Sequence, residues 1–348
     1  MNKVIKIAGA GISGLSSAIF LKKFGFLPEI YEIKSSVGYR FKGDFQGFEN
    51  WSSDKDIIDI LKDLELDINF NFIPSYTFKV CSPKRNLKTF ESKERPFYYL
   101  IQRGFKEGYL DYSLYKQVEN LNIPVYFNCK NLPKDIKIFA TGPNKASAII
   151  LGINFDTDYK DINLMICDNN IAPKGYAYLL IVNGKGTIAT AFKKNNNNPN
   201  VYLENSIELC KSLFNLKIYN QVKFGSFGSF SDENIFEKDN KLYIGEAAGL
   251  QDFLFGFGLR YAILSGYLAA RSICENTSYT NLAKKMFSNS IKASLVNRFL
   301  YERLDNSKYE FLINKLSYQK DLIHFLRKRY KFNLKRRILY PIAKKILL

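Results

Sequence analysis

The sequence has few of the residues that usually carry metal or nucleophilic chemistry. Its 348 residues include one histidine, His324, near a basic C-terminus. A Ser-His or Cys-His dyad and a histidine-rich metal site are therefore poorly supported. Five cysteines stand singly without a C-x-x-C pair, so neither a disulfide framework nor a zinc site is indicated. An enzyme with this composition is expected to take its chemistry from a bound cofactor.

Long hydrophobic runs and acidic residues are also scarce. No run of 18 apolar residues occurs, and the first residues show no charged leader with a cleavage site. We therefore expect a cytoplasmic protein that is neither membrane-spanning nor secreted by that route. The 51 Lys plus Arg exceed the 33 Asp plus Glu by a formal charge of +18. Such an excess indicates an anionic partner, which could be a phosphate cofactor, nucleic acid or acidic lipid.

Three spaced glycines follow a short apolar run near the beginning of the chain. The motif Gly9-Ala10-Gly11-Ile12-Ser13-Gly14 comes between this run and a stretch with helical periodicity. A dinucleotide phosphate site requires this order: Gly9 permits the tight turn, Gly11 admits the pyrophosphate, and Gly14 lets the helix pack on the strand. The helix N-terminus then favours the anion.

An acidic residue ends the next predicted strand. Residues Glu29–Glu32 form a short strand pattern after the helix, and Glu32 lies near the spacing at which a carboxylate binds an adenosine ribose. The same order of strand, turn, helix, strand and acid suits NAD and FAD equally.

A similar pattern of strand, acid and glycine recurs late in the chain. A strand leads through Gly245 to Glu246, and Gly256 and Gly258 then open a helix that runs to Ala270. This is a second helix N-terminus able to face a polar ligand, with an acid available for hydroxyl groups.

Two further segments are expected near a bound dinucleotide. The loop Ser35–Trp51 follows the acidic strand end, and its Arg40 fits either a cofactor phosphate or the commoner exposed loop arginine. Lys137–Pro143 predicts a buried parallel strand, and the small residues Thr141 and Gly142 at its end let backbone approach a ligand.

Alternating β patterns fill two other parts of the chain. Short strands are predicted between residues 70 and 99, and a hairpin is predicted around Asn183-Gly184, the strongest short turn signal.

Together these stretches resemble FAD-dependent oxidoreductases of the glutathione-reductase type, in the para-hydroxybenzoate hydroxylase branch, and among them the geranylgeranyl reductase family. Three blocks carry the resemblance: Gly9–Gly14 with Glu32, Phe139–Gly142, and Gly245–Gly249 with Gly256-Phe257-Gly258. A fourth block, Pro173–Leu180, looks like that family's substrate-domain motif and is suggestive. The resemblance implies an α/β fold, in which an FAD-binding Rossmann-type domain is interleaved with an antiparallel-sheet substrate domain and followed by C-terminal helices.

The resemblance also implies roles for individual residues toward FAD. Glu32 would hold the adenosine ribose, Arg103 would lie near the pyrophosphate or ribityl chain, and Glu246 would meet the ribityl hydroxyls. Backbone N–H groups of Gly256–Leu259 would face the flavin's pyrimidine edge. The expected cofactor residues are Gly9, Gly11, Ile12, Ser13, Gly14, Glu32, Arg40, Arg103, Thr141, Gly142, Gly245, Glu246, Gly256, Gly258 and Leu259. Tyr176 and Tyr178 are the expected substrate residues.

The family pattern is not complete in this chain. The family usually has Asp at the position of Glu246, Gly-Glu-Gly around Phe257, and Trp-x-Phe-Pro where Tyr178-Leu179-Leu180 stand. The cofactor blocks are thus matched more fully than the substrate motif.

The activity implied is reduction of carbon-carbon double bonds in a prenyl or isoprenoid lipid by hydride from reduced flavin. The electron donor would be NAD(P)H or a small redox protein. A flavin monooxygenase acting on an aromatic or lipid substrate is an alternative, and a non-catalytic flavin- or nucleotide-binding adaptor is another. The aromatic content of 15% suits a tunnel for a prenyl chain or an ordinary core.

The predicted domains are discontinuous. The FAD-binding domain comprises residues 1–72, 98–150 and 235–290, and the antiparallel substrate domain comprises 73–97 and 151–234. Residues 291–348 form a basic helical C-terminal segment.

The last 32 residues combine ten basic side chains with one acid, Asp321, and apolar residues at helical spacing between them. This pattern suits an interfacial helix on an anionic membrane, which would make the protein peripheral to a membrane, or a solvated basic helix that packs on the body. Nucleic-acid binding is disfavoured because no recognised binding motif occurs.

Overall fold

The computed structural model describes residues 3–143, 146–193, 198–229 and 235–348. Residues 1–2, 144–145, 194–197 and 230–234 of the predicted domains lie outside this set. The strands are β1 (Val4–Ala8), β2 (Leu27–Tyr31), β3 (Phe45–Glu49), β4 (Phe72–Ser75), β5 (Thr77–Cys81), β6 (Leu87–Glu91), β7 (Tyr98–Gln102), β8 (Val125–Tyr126), β9 (Ile138–Phe139), β10 (Ala148–Asp156), β11 (Ile162–Ile166), β12 (Tyr176–Val182), β13 (Lys185–Lys193), β14 (Tyr219–Gly228), β15 (Glu237–Lys238) and β16 (Lys241–Tyr243). The helices are α1 (Ile12–Lys23), α2 (Ile57–Asp63), α3 (Leu110–Asn120), α4 (Asn200–Phe214), α5 (Leu259–Cys274), α6 (Tyr279–Tyr301), α7 (Asn306–Ser317), α8 (Leu322–Arg329) and α9 (Leu334–Leu347).

A six-stranded, largely parallel sheet has the order β15-β16-β9-β1-β2-β8. Strands β16, β9, β1, β2 and β8 run parallel, so their carboxyl ends meet at one edge. Helix α1 is buried from Ile12 to Leu21 and packs against both this sheet and α5. Close packing of α1 on α5 depends on Gly266, where a Cβ would lie 2.8 Å from the Ser13 carbonyl oxygen. Parallel strands covered in this way form the predicted Rossmann-type layer.

A seven-stranded sheet with the order β14-β10-β13-β12-β11-β5-β6 forms the second layer, and all its pairs are antiparallel except β11 with β5. The predicted hairpin joins β12 to β13 through Asn183 and Gly184, both at positive φ. Along β12, Ala177 and Leu179 are fully buried in the core that α4 covers. Because side chains alternate along a strand, Tyr176 and Tyr178 lie on the opposite face.

A small antiparallel sheet, β3-β7-β4, completes the β structure. The described residues thus form a mixed α/β fold with a parallel sheet, antiparallel sheets and C-terminal helices, as the sequence predicted.

The C-terminal helices begin at side-chain caps and pack as a group. Ser278, Asp305, Asp321 and Asn333 each accept a backbone N–H at the start of α6, α7, α8 and α9. Each such cap stabilises its helix by about 1 kcal/mol. Helix α6 runs without a break across the boundary predicted between residues 290 and 291. Within the described parts of the chain, no helix has the length and apolar character that crossing a bilayer needs.

Candidate functional site

A cavity of about 1080 Å³ lies at the carboxyl edge of the parallel sheet and continues along the seven-stranded sheet to the C-terminal helices. Small-molecule sites usually measure about 300–1,000 Å³, so this space can hold a large ligand. It begins at the first glycine turn and ends among apolar side chains of α7 and α8. All the expected cofactor and substrate residues line it except Gly14 and Gly245.

The glycine turn shows why each of its glycines is needed. Gly9 has a φ of +101°, and a Cβ there would lie 2.5 Å from the Ala140 carbonyl oxygen. A Cβ at Gly14 would lie 2.0 Å from the Gly9 carbonyl oxygen, so this glycine packs helix on turn. A Cβ at Gly11 would meet no described heavy atom within 4 Å and would project where the turn lines the cavity. Gly11 therefore leaves room for a ligand, whereas Gly9 and Gly14 are required by the fold.

Two helices begin at the wall of this cavity without a side-chain cap. Helix α1 starts after Gly11 and α5 starts after Gly258. Glycine has no side chain to cap a helix, and no described side chain accepts a hydrogen bond from the first N–H groups of either helix. The first N–H groups of an α-helix have no partner within the helix. Ile12, Ser13 and Leu259 line the cavity at these two ends. The unpaired N–H groups and the helix dipoles therefore favour anionic or carbonyl groups of a ligand.

Glu32 follows β2 directly and lines the cavity beside the glycine turn. Its Oε2 accepts the Ala10 N–H at 2.7 Å, and its Oε1 accepts the Lys34 N–H at 2.8 Å. Because each carboxylate oxygen can accept two hydrogen bonds, Glu32 keeps acceptor capacity for a ligand hydroxyl. Its two backbone contacts fix the carboxylate at the turn.

The second acidic strand end lies on the other side of the same edge. After β16, Gly245 has a φ of +58° and donates its N–H to Ser265 Oγ at 2.9 Å. Glu246 points toward the start of α5, since its Oε1 would lie 3.6 Å from a Cβ at Gly258. Desolvation raises the pKa of Glu246, while Arg40 and Arg103 act in the opposite direction. Glu246 is thus an acceptor in the cavity wall, and the positive charges of Arg40 and Arg103 favour its ionised form.

Arg103 and Arg40 supply positive charge at this wall. Arg103 is buried, and its Nε and Nη2 donate to Asp111 Oδ2 and Oδ1 at 2.7 and 2.9 Å. Its Nη1 donates to Gln46 Oε1 at 2.9 Å. Arg40 lines the cavity and is also exposed. It is therefore placed to meet a cofactor phosphate, as one prediction has it, and is also a solvent-exposed loop arginine, as the other has it.

Thr141 and Gly142 follow β9 at the same edge, and Gly142 has a φ of +77°. Gly256, with a φ of +74°, and Gly258 lie opposite them in the segment before α5. Four successive strand ends therefore contribute to one wall, which is where open α/β sheets bind their ligands.

The segment before α5 is held by a buried carboxylate that the sequence analysis missed. Asp252 Oδ2 accepts the Phe255 N–H at 2.6 Å, and its Oδ1 accepts the Tyr330 hydroxyl at 2.9 Å. Burial raises the pKa of Asp252 to about 6. This side chain links the Gly256–Gly258 turn to the end of α8.

The two expected substrate tyrosines lie together but have different surroundings. Their ring centroids are 6.2 Å apart. The Tyr176 hydroxyl donates to the Phe255 carbonyl oxygen, so it supports the segment before α5. The Tyr178 hydroxyl has no hydrogen-bond partner among the described residues and lines the cavity, where desolvation raises its pKa. Tyr178 is therefore the one available to a ligand.

The sequence suggested an apolar tunnel as one interpretation of the aromatic content, but it did not predict that α7 and α8 would form part of the wall. Helices α7 and α8 contribute aliphatic and aromatic side chains to its wall, which are Tyr309, Leu312, Ile313, Leu316, Leu322, Phe325 and Leu326. Several of these form one cluster with Trp51, Phe97 and Phe257. The helical spacing of Tyr309, Ile313 and Leu316 indicates a helix with an apolar face that needs a partner. The many basic residues that follow instead favoured a separate C-terminal segment.

One residue of the cavity wall, Gln251, has a buried polar atom without a partner among the described residues. Gln251 donates its Nε2 to the Gly256 carbonyl oxygen at 3.2 Å, but its buried Oε1 has no partner among the described residues. Gln251 lines the cavity, so this oxygen can accept an N–H of a ligand beside the Gly256–Gly258 turn. No group of three His, Cys, Asp or Glu that could hold a metal occurs in the described ranges.

These features fit a dinucleotide with a further aromatic group. Room at Gly11 and the uncapped start of α1 suit a pyrophosphate, and Glu32 suits a ribose. The uncapped start of α5 and the unpaired Gln251 oxygen supply donors and an acceptor for a heterocycle edge.

Comparison with known proteins supports this fold at low sequence identity. No protein-family model and no curated protein sequence matches the chain. A geranylgeranyl bacteriochlorophyll reductase-like protein from Thermoplasma acidophilum is 17% identical, with a TM-score of 0.72 over 100% of this chain and 99% of its own. A flavin-dependent brominase is 13% identical, with a TM-score of 0.67 over 99% and 98% of the two chains. The p-nitrophenol 4-monooxygenase of Pseudomonas putida is 12% identical, with a TM-score of 0.66 over 95% and 100%.

These neighbours match nearly the full length of both chains, so the likeness includes both sheet layers and the C-terminal helices. The predicted resemblance is confirmed at the level of fold. The chain has the Rossmann-type fold of flavin-dependent oxidoreductases and monooxygenases, and the geranylgeranyl bacteriochlorophyll reductase-like protein shares this fold.

Proposed function

We propose that the protein is an FAD-dependent oxidoreductase that reduces carbon-carbon double bonds of a prenyl or isoprenoid lipid. One observation carries the proposal: a single cavity joins the two uncapped helix ends to an apolar region under α7 and α8. When bound, FAD supplies hydride transfer from its reduced ring. The chain then has to hold the dinucleotide, receive an apolar chain and keep water away from both.

The residues of the cavity are distributed in a way that suits these tasks. Polar and charged groups concentrate at the carboxyl edge of the parallel sheet, around Glu32, Arg103 and Glu246. The wall that α7 and α8 contribute is mostly aromatic and aliphatic, although Arg329 also lines it. A flexible hydrocarbon chain gains about 0.8 kcal/mol for each CH₂ group that it buries in such a space. Tyr178, which lines the cavity and whose hydroxyl has no partner among the described residues, would position the substrate.

The proposed reaction needs an electron donor. The described strands form one Rossmann-type layer, and we propose that its first glycine turn, at Gly9–Gly14, holds FAD. We further propose that electrons come from NAD(P)H bound transiently or from a small redox protein. The single histidine, His324, is exposed on α8 and does not line the cavity, so it takes no part in the proposed reaction.

The test is an anaerobic reaction between chemically reduced, FAD-loaded protein and a geranylgeranyl lipid. We expect the lipid to reoxidise the flavin and to gain hydrogen at its double bonds. The fully saturated phytanyl analogue is the matched control and should leave the flavin reduced. Failure of every polyprenyl lipid to reoxidise the flavin would contradict the proposal.

A flavin monooxygenase is the second candidate, and it is favoured by the likeness to the p-nitrophenol monooxygenase. It would consume oxygen and hydroxylate an aromatic or lipid substrate. Substrate-dependent oxygen uptake with an oxygenated product would support it over the reductase. A preparation without redox-active flavin would instead favour the non-catalytic adaptor.

A further inference from the structure

Helix α9 has one face packed on the body and one face exposed. Ala343 is fully buried, and Leu339, Tyr340 and Leu347 pack against the main core. The Arg336 Nη2 donates to Asn297 Oδ1 of α6 at 2.9 Å, which fixes the helix to the body. One of the ten basic residues counted in the sequence therefore points inward.

The exposed face carries an apolar stripe. Leu334, Ile338, Ile342 and Ile346 are 72%, 65%, 49% and 54% exposed. Their spacing of four residues places them in one row along α9, a helix of about 21 Å. Single exposed apolar residues are ordinary on protein surfaces, but an aligned row of four is typical of a contact surface.

The charges around this stripe are of one sign. Lys335, Arg337 and Lys345 are exposed on the same helix, and α9 contains no acidic residue. A basic helix with an apolar row binds at the interface of an anionic bilayer, where the row enters the acyl boundary and the cations meet lipid phosphates.

We infer that α9 is an interfacial helix that docks the protein on an anionic lipid bilayer through Leu334, Ile338, Ile342 and Ile346. A second copy of the chain fits less well, because a two-fold contact between two α9 helices would bring like charges together. A nucleic acid would pair with the lysines and arginines but would leave the apolar row without a partner. The inference does not depend on the proposed reaction, since vesicle binding is measured without turnover.

The experiment uses the full-length protein and point substitutions, because deletion of α9 would uncover its buried contacts on α6. Ile338→Gln with Ile342→Gln removes half of the row and keeps a good helix former. Met286→Gln with Val201→Gln is the matched control, since both residues are exposed apolar positions on other helices. Lys335→Gln with Lys345→Gln is compared with Lys284→Gln and Lys285→Gln on α6. Co-sedimentation is measured with phosphatidylglycerol-containing and pure phosphatidylcholine vesicles at low and high salt.

We expect wild-type protein to bind the anionic vesicles at low salt and to bind neutral vesicles weakly. The isoleucine pair should lower partitioning on the order of tenfold, and so should the α9 lysine pair, while both controls retain binding. Absence of wild-type binding at low salt, or equal binding by the isoleucine variant, would overturn the inference. The inference would also be overturned if the isoleucine variant changed from dimer to monomer without any change in vesicle binding. It would be overturned as well if the protein bound DNA through the α9 lysines and did not bind vesicles.

Discussion

Replacing Gly11 with valine is expected to abolish FAD binding without unfolding the protein. The Gly11 backbone has a φ of −77°, which any residue adopts, and a Cβ there meets no described heavy atom within 4 Å. The flavin-free protein should therefore keep its stability to within about 1 kcal/mol. The valine methyl groups would fill the space into which the proposed pyrophosphate fits, so backbone N–H groups could no longer reach it.

Gly14→Ala is the matched control for this substitution. Its Cβ would lie 2.0 Å from the Gly9 carbonyl oxygen, so the turn or the helix has to move. We expect a loss of stability of about 3 kcal/mol, which denaturant unfolding of the flavin-free proteins measures. FAD titration followed by flavin fluorescence gives the binding constants. A Gly11→Val protein that binds FAD like the wild type would show that the pyrophosphate is not bound at this turn.

Removing the Tyr178 side chain is expected to slow flavin reoxidation by a prenyl lipid on the order of tenfold or more, with FAD still bound. The hydroxyl has no described partner and lines the cavity, so its loss costs the protein no internal hydrogen bond. The measurement is anaerobic stopped-flow reoxidation of the reduced Tyr178→Ala protein. Unchanged rates would show that Tyr178 is only a residue of the sheet.

Tyr176→Phe provides the contrast. It removes the hydrogen bond to the Phe255 carbonyl oxygen, which is worth about 1 kcal/mol and supports the segment before α5. We expect weaker FAD binding, by about fivefold, with a smaller effect on the lipid step. If both variants alter only the lipid step, Tyr176 contacts substrate rather than supporting the cofactor wall.

The parts of the site that sequence could predict depend on short-range chemistry. The turn at Gly9–Gly14 and the helix start at Gly258 follow from steric needs of neighbouring residues. The hairpin at Asn183-Gly184 follows from two residues that tolerate positive φ. Each of these signals lies within a few residues of the structure that it specifies.

The remaining features depend on contacts between distant residues. Tyr176 and Tyr178 occupy equivalent positions in the strand pattern, so the sequence gives them the same expected role. Their roles differ because the Phe255 carbonyl oxygen accepts the hydroxyl of Tyr176 alone, and Phe255 lies 79 residues farther along the chain. The spacing of apolar residues in the tail predicted a helix. Which face of α9 is buried depends on its contacts with α6, such as the hydrogen bond from Arg336 to Asn297. The apolar wall from α7 and α8 likewise exists only because these helices fold back over the cavity.

The ultraviolet-visible spectrum of the purified protein tests the central claim most directly. The account predicts a yellow protein with an oxidised-flavin spectrum, and heat denaturation should release FAD, identified by chromatography. A colourless protein that takes up no FAD on reconstitution would contradict the account, because the account holds that the glycine turn, Glu32 and Glu246 together bind FAD.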